Sequence, residues 1–138
     1  MKKTSIFIVT AIAMIGFFMM SFMIPGGEEK TEWEIPEKYQ KMENPYTGDK
    51  SLDRIGKMLY AKNCKSCHGN KGQGDGPRAK QIDVPMYDMT SEEFQAKFND
   101  GEIYYMSFIG RDEMPNFESE IPAEEDRWAI VNYIRSMK

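Results

Sequence analysis

The chain is short of the residues that bind metals: it holds one histidine and two cysteines in 138 residues. Two cysteines cannot make a disulfide-rich scaffold, and one histidine cannot supply a three-histidine zinc site. An excess of positive charge is also missing. There are 18 Lys+Arg against 22 Asp+Glu, a formal net charge of −4, which argues against the basic stripe of a nucleic-acid binder. No internal repeat is present, and no segment has the strict alternation of a strand. The length is that of one ordinary domain, and an all-α architecture is expected.

One long apolar run is present. Ile6 to Ile24 is interrupted only by Thr10, Gly16 and Ser21, and it follows Lys2 and Lys3. As a helix it spans roughly 28 Å, close to the hydrocarbon thickness of a bilayer. A cleaved signal has a shorter apolar region and a small-x-small site. Here Pro25-Gly26-Gly27 follows the run, and Ala11-x-Ala13 comes too early. Residues 1–27 are therefore expected to be an export signal retained as a membrane anchor. The two lysines stay inside and the rest of the chain lies outside the cytoplasmic membrane. No cysteine follows the run to carry a lipid.

Residues 28–50 read as an acidic spacer turning into a strap. Trp33, Ile35, Tyr39, Met42 and Tyr46 are too many large apolar groups for a free linker, and Pro36 and Pro45 forbid one continuous helix through them. The domain proper is expected over residues 51–138. Ser51 is the expected N-cap of a helix carrying Leu52, Ile55 and Leu59 and running to about Asn63. A glycine-rich loop follows from Gly69 to Gly76. Thr90-x-x-Glu93 reads as a capping box, with Phe94 and Phe98 on one face and Gly101 as the stop. Ile103 to Ile109 makes a short helix ended by Gly110. The last helix starts near Pro122-Ala123, with Ile130, Tyr133, Ile134 and Met137 on its apolar face. The glycine-rich loop lacks the Lys-Ser/Thr ending of a phosphate loop.

Both cysteines and the histidine fall within five residues, Cys64-Lys65-Ser66-Cys67-His68. This is C-x-x-C-H, the attachment signal of a c-type haem. Cysteines three apart reach the two vinyl groups on one porphyrin edge, and the next residue puts an imidazole over the iron. Zinc would need a fourth ligand that the chain cannot provide as cysteine or histidine. A thioredoxin-like motif belongs after a strand, whereas this one ends a helix. A Cys64–Cys67 disulfide would close a very small loop and contribute little. One covalently bound haem c is the expected cofactor, with His68 as an iron ligand.

The second axial ligand cannot be histidine. Downstream methionines are Met86, Met89, Met106, Met114 and Met137. Met137 and Met106 read as packing residues, while Met86 and Met89 flank a turn near Val84-Pro85. Met114 lies among charges, in Arg111-Asp112-Glu113-Met114-Pro115, and the following proline holds it extended. Met114 is the preferred ligand, with Met86 and Met106 as alternatives.

With these residues in place, the sequence resembles the bacterial monohaem class I c-type cytochromes. The resemblance covers roughly Ser51 to Met137. It is carried by Cys64 to Gly69, Gly74-Asp75-Gly76-Pro77, Met114-Pro115-Asn116-Phe117 and Arg127-Trp128-Ala129-Ile130-Val131-Asn132-Tyr133-Ile134. It implies the class I cytochrome c fold, helices wrapped around one covalent haem. It implies that Gly56 and Tyr60 of the first helix meet Ile130 and Tyr133 of the last. It also implies that the Pro77 carbonyl accepts from the ring N–H of His68, and that Met114 is the distal ligand. Trp33, Pro36 and Asn44-Pro45-Tyr46 add a weaker resemblance to the monohaem cytochrome subunit of alternative complex III, whose members often carry a lipid-bearing cysteine that this chain lacks.

His68/Met114 ligation leaves no open site, so the expectation is a one-electron carrier and not an enzyme. Its partners would be redox proteins, including a respiratory complex or terminal oxidase, with no nucleic acid and no small-molecule substrate. The expected location is the bacterial cytoplasmic membrane, with the haem domain on the periplasmic side. The alternatives are a haem-bearing subunit of a larger respiratory complex, and a haem enzyme or gas sensor with an open distal face. Charge is split along the domain. Seven basic residues against two acidic ones leave +5 over 51–80, and two basic against thirteen acidic leave −11 over 81–126. Such asymmetry can orient an encounter.

Overall fold

A computed structural model describes residues 32–138. The expected anchor at 1–27 lies outside the described residues, and none of their helices is long and apolar enough to cross a membrane. Residues Trp33–Lys138 form one unit, so the part of the expected strap from Trp33 onward and the expected domain belong to one body.

The regular secondary structure among the described residues is helical, with one isolated bridge. Helix α1 covers Glu37–Gln40, α2 Asp53–Asn63, α3 Lys65–His68, α4 Glu92–Lys97, α5 Asp100–Tyr104 and α6 Glu124–Arg135. Short 3-10 turns occupy Lys50–Leu52 and Ala79–Gln81, and a π turn extends α5 over Tyr105–Ile109. The π turn ends at Gly110, as expected for that segment. The core holds Tyr60, Phe108, Ile103, Trp128, Ile130, Val131 and Ile134, all essentially without solvent contact. Each large apolar side chain buried this way is worth about 1.5–3 kcal/mol.

Helices α2 and α6 make the principal contact. A Cβ on Gly56 would overlap the Ala129 carbonyl and lie 3.2 Å from the Tyr133 Cβ. Glycine costs about 1 kcal/mol inside a helix, and here it is the residue that lets two backbones meet. Beside it the rings of Tyr60 and Tyr133 pack with centroids 5.2 Å apart. The first turn of α6 carries Glu124, Glu125 and Asp126, charges suited to the positive end of a helix dipole.

Several helix boundaries differ from the sequence expectation. Ser51 does not cap α2. Asp49 accepts from the Ser51 N–H and caps the preceding 3-10 turn, because its carboxylate sits one turn earlier and also takes the Ser51 hydroxyl. Ser51 is thereby engaged as a donor. Helix α4 is capped by Ser91, which accepts from the Phe94 N–H at 3.1 Å, whereas Thr90 donates its hydroxyl to Asp88. The reciprocal capping box lies one element later, at Asn99 and Glu102. Gly101 is not a stop. It sits inside α5, where a Cβ would meet the Tyr39 carbonyl and lie 2.7 Å from the Met42 carbonyl.

That contact seats the strap. Tyr39 is buried, and Trp33, Ile35, Met42 and Tyr46 pack against the core. Pro36 starts α1 as its N-cap residue, so the proline that breaks a long helix opens a short one. Polar ties complete the seat. Asn44 donates to Asp100 and to Asn132, both at 2.8 Å, and Asn132 returns a bond to the Tyr46 carbonyl at 2.7 Å.

Candidate haem attachment site

The C-x-x-C-H pentapeptide begins where α2 ends. Cys64 is the C-cap of α2 and the N-cap of α3. This short second helix projects Cys67 and His68 one turn further on. The His68 N–H donates to the Cys64 carbonyl at 2.9 Å and the Cys67 N–H to the same carbonyl at 3.2 Å. Both thiols are free and half-buried.

The glycine-rich loop closes over this segment. Gly74 N–H donates to the His68 carbonyl, Gly76 N–H to Cys67 and Arg78 N–H to Ser66, at 2.9, 3.0 and 2.9 Å. A Cβ on Gly76 would lie 2.5 Å from both the Ser66 and Cys67 carbonyls. Only glycine therefore allows the loop to lie flat on the pentapeptide. Sequence reasoning noted the glycine cluster without this role. The signal that points to it is a glycine next to the proline in Asp75-Gly76-Pro77. From the other side, Tyr60 donates its hydroxyl to the Gly69 carbonyl at 3.0 Å, which ties the core of α2 to the end of the motif.

Electrostatics follow from burial. Burial, with the neighbouring Cys67 as a lesser cause, pushes the Cys64 thiol up to about 12. A thiol held protonated is a poor nucleophile for disulfide exchange, and this counts against a thioredoxin-type role. Burial also lowers the His68 pKa below its ordinary 6.5, which favours the neutral imidazole that binds iron. No cluster of three or more His, Cys, Asp or Glu side chains suited to a metal ion occurs among the described residues.

His68 Nδ1 is buried with no hydrogen-bond partner. The bond expected from this nitrogen to the Pro77 carbonyl is not formed in the structure. The N–H groups flanking Pro77 fix the turn onto Ser66 and Cys67, and no hydrogen bond reaches Nδ1. A buried polar atom without a partner costs about 1–3 kcal/mol. Two free thiols three residues apart beside a buried imidazole fit a covalently held haem.

Met114 stands on a separate loop. It forms an isolated bridge with Arg111, the two exchanging backbone bonds of 2.8 and 2.7 Å around Asp112 and Glu113. Asp112 takes the left-handed conformation at φ 45° that this tight reversal requires. Met114 is half-buried and lies outside the hydrophobic core cluster. Met89 and Met106 are buried in the core, and Met137 packs against it. Met86 is half-buried beside Gly74.

The family model described as Cytochrome c matches residues 54–138, more than half of the chain. No curated protein matches the sequence. The match begins in α2 and takes in the pentapeptide, the glycine-rich loop, the Met114 hairpin and α6. The chain belongs to the cytochrome c family, with haem c as its covalently bound group and Cys64 and Cys67 in place to attach it.

Proposed function

We propose that the protein is an exported, membrane-anchored one-electron carrier whose haem iron is held between His68 and Met114. Haem-based electron transfer and redox protein partners follow from the family in general. The observation that carries the finer reading is the state of Met114. It is half-buried, left outside the core and fixed by a pair of backbone bonds to Arg111; Met86 shares the burial and the place outside the core but not that bridge. Met89, Met106 and Met137 each have a packing role that accounts for them.

When bound, the haem supplies a one-electron iron couple, which methionine ligation sets higher than two histidines would. The chain's own residues supply the rest. His68 presents a neutral imidazole, kept neutral by burial. In the haem-bearing protein Pro77 is the proposed acceptor for the Nδ1 proton, a bond the structure does not form and one that would strengthen the ligand. Cys64 and Cys67 hold the group on the α2–α3 junction. Met114, fixed through Arg111, would hold the iron from the side opposite His68 and exclude water and small ligands there. The anchor rests on the apolar run of residues 1–27.

The test is spectroscopic. The oxidised wild type should show a sulfur-to-iron charge-transfer band, and its reduced form should resist carbon monoxide. Met114→Ala should lose the band and bind carbon monoxide, whereas Met86→Ala should do neither. Ready carbon monoxide binding by the wild type would instead establish a haem enzyme or sensor with an open face. Co-purification from membranes separates a free carrier from a subunit of a respiratory complex.

A further inference from the structure

The first residue of the strap reaches the hairpin that carries Met114. The Arg111 guanidinium carbon lies 4.1 Å from the centroid of the Trp33 ring, well within cation–π range. Trp33 is itself held edge-on against Tyr105, with centroids 6.2 Å apart and planes at 84°. Tyr105 opens the π turn and packs on Tyr39 of the same strap at 4.7 Å. Arg111 in turn shares both backbone bonds of the bridge with Met114. On the other flank of the hairpin, Glu113 accepts the Asp83 N–H at 3.1 Å. The hairpin is thus gripped from two sides, and one grip belongs to a segment that precedes the family's own match at residue 54.

We propose that Trp33 is a positioning residue for Met114: the strap, through Trp33 on Arg111, holds the methionine hairpin closed on the iron. This rests on the reading of Met114 as the axial ligand. The indole packs edge-on against Tyr105, the guanidinium lies over its face, and the backbone of Arg111 is bonded directly to that of Met114. If the grip is removed, the hairpin opens more often and the iron exchanges its sulfur ligand more readily.

Imidazole, which displaces a sulfur ligand from ferric haem, reads that opening directly in the full-length haem-bearing protein. Loss of one cation–π contact raises the open fraction, and with it the apparent imidazole affinity, roughly five-fold. Trp33→Ala should show this shift together with a weaker charge-transfer band. Trp33→Phe, which keeps an aromatic face, should restore most of the wild-type behaviour. Ile35→Ala removes strap packing without touching Arg111, and should lower unfolding resistance while leaving imidazole affinity unchanged. An unchanged affinity in Trp33→Ala overturns the proposal, as does an equal shift in Ile35→Ala. Met114→Ala sets the fully open limit. A wild type already at that limit takes down the ligand assignment, whereas a wild type far from it with Trp33→Ala unmoved takes down the positioning role alone.

Discussion

Gly56 and Gly76 lack a side chain for the same reason, and the consequence can be read in each. On helix propensity alone Gly56→Ala would stabilise α2 by about 1 kcal/mol. The new methyl would instead overlap the Ala129 carbonyl, and overpacking against backbone costs about 1–3 kcal/mol or more. The expected outcome is net destabilisation of about 1 kcal/mol or more, seen as a lower urea midpoint of the haem-bearing protein. An unchanged or raised midpoint would show that α2 and α6 do not meet there. The chemistry of single residues was the most legible part of the sequence. C-x-x-C-H is fixed by the covalent reach of two cysteines and the next imidazole, and neither depends on tertiary detail. The partner of His68 Nδ1 was not legible in the same way, because a hydrogen bond requires an orientation as well as a neighbour. The flat seat of Gly76 on Ser66 and Cys67 depends on the loop's return path, which no local pattern encodes.

Elements were legible in number and placement and less so at their ends. Tertiary position decides between adjacent capping residues: Asp49 and Ser91 serve where Ser51 and Thr90 were expected. In each case a nearby Asp takes the hydroxyl of the expected residue. The reciprocal box at Asn99 and Glu102 has an explicit sequence signature, Asn-Asp-Gly-Glu, obscured by reading Gly101 as a stop. Gly101 supports a prediction of its own. Gly101→Ala should release the strap, because the methyl meets the Tyr39 and Met42 carbonyls. Limited trypsin digestion at Lys38 and Lys41 should then run much faster than in the wild type, with the haem spectrum showing that the rest is folded. Resistance equal to the wild type would contradict a strap seated on α5. The turn before α4 carries a pH dependence. Hydrogen bonds from the Thr90 hydroxyl, and secondarily its N–H, hold the Asp88 carboxyl below 3.8. The folded pKa is the lower one, so the contribution is present above 3.8 and is lost as pH falls through the folded value. Asp88→Ala should flatten the acid limb of a stability-against-pH curve below the ordinary carboxylate range, the effect being small at so exposed a carboxylate.

Across the whole molecule, net charge and local charge make opposite predictions. With a net −4, an anionic reagent such as ferrocyanide should be repelled, and its rate of electron transfer should rise with added salt. The residues around the pentapeptide are basic instead, with Lys62, Lys65, Lys71, Arg78 and Lys80 in or beside it. If electrons cross near Cys64 and Cys67, the same rate should fall with salt, by up to about ten-fold between low and high ionic strength. Stopped-flow measurement over a salt series gives the sign. A rising rate would mean that the encounter answers to the acidic half. The π turn at Tyr105–Ile109 bears on how such a domain can vary. Its closing bond runs from the Gly110 N–H back five residues to the Tyr105 carbonyl, so it accommodates one residue more than an α turn. Losing that residue would let the helix close as ordinary α and leave its own ladder intact. Everything beyond Gly110 would then swing by about 100°, and Met114 would leave with it. The segment can tolerate a changed length, but the placement of Met114 as the proposed second ligand cannot.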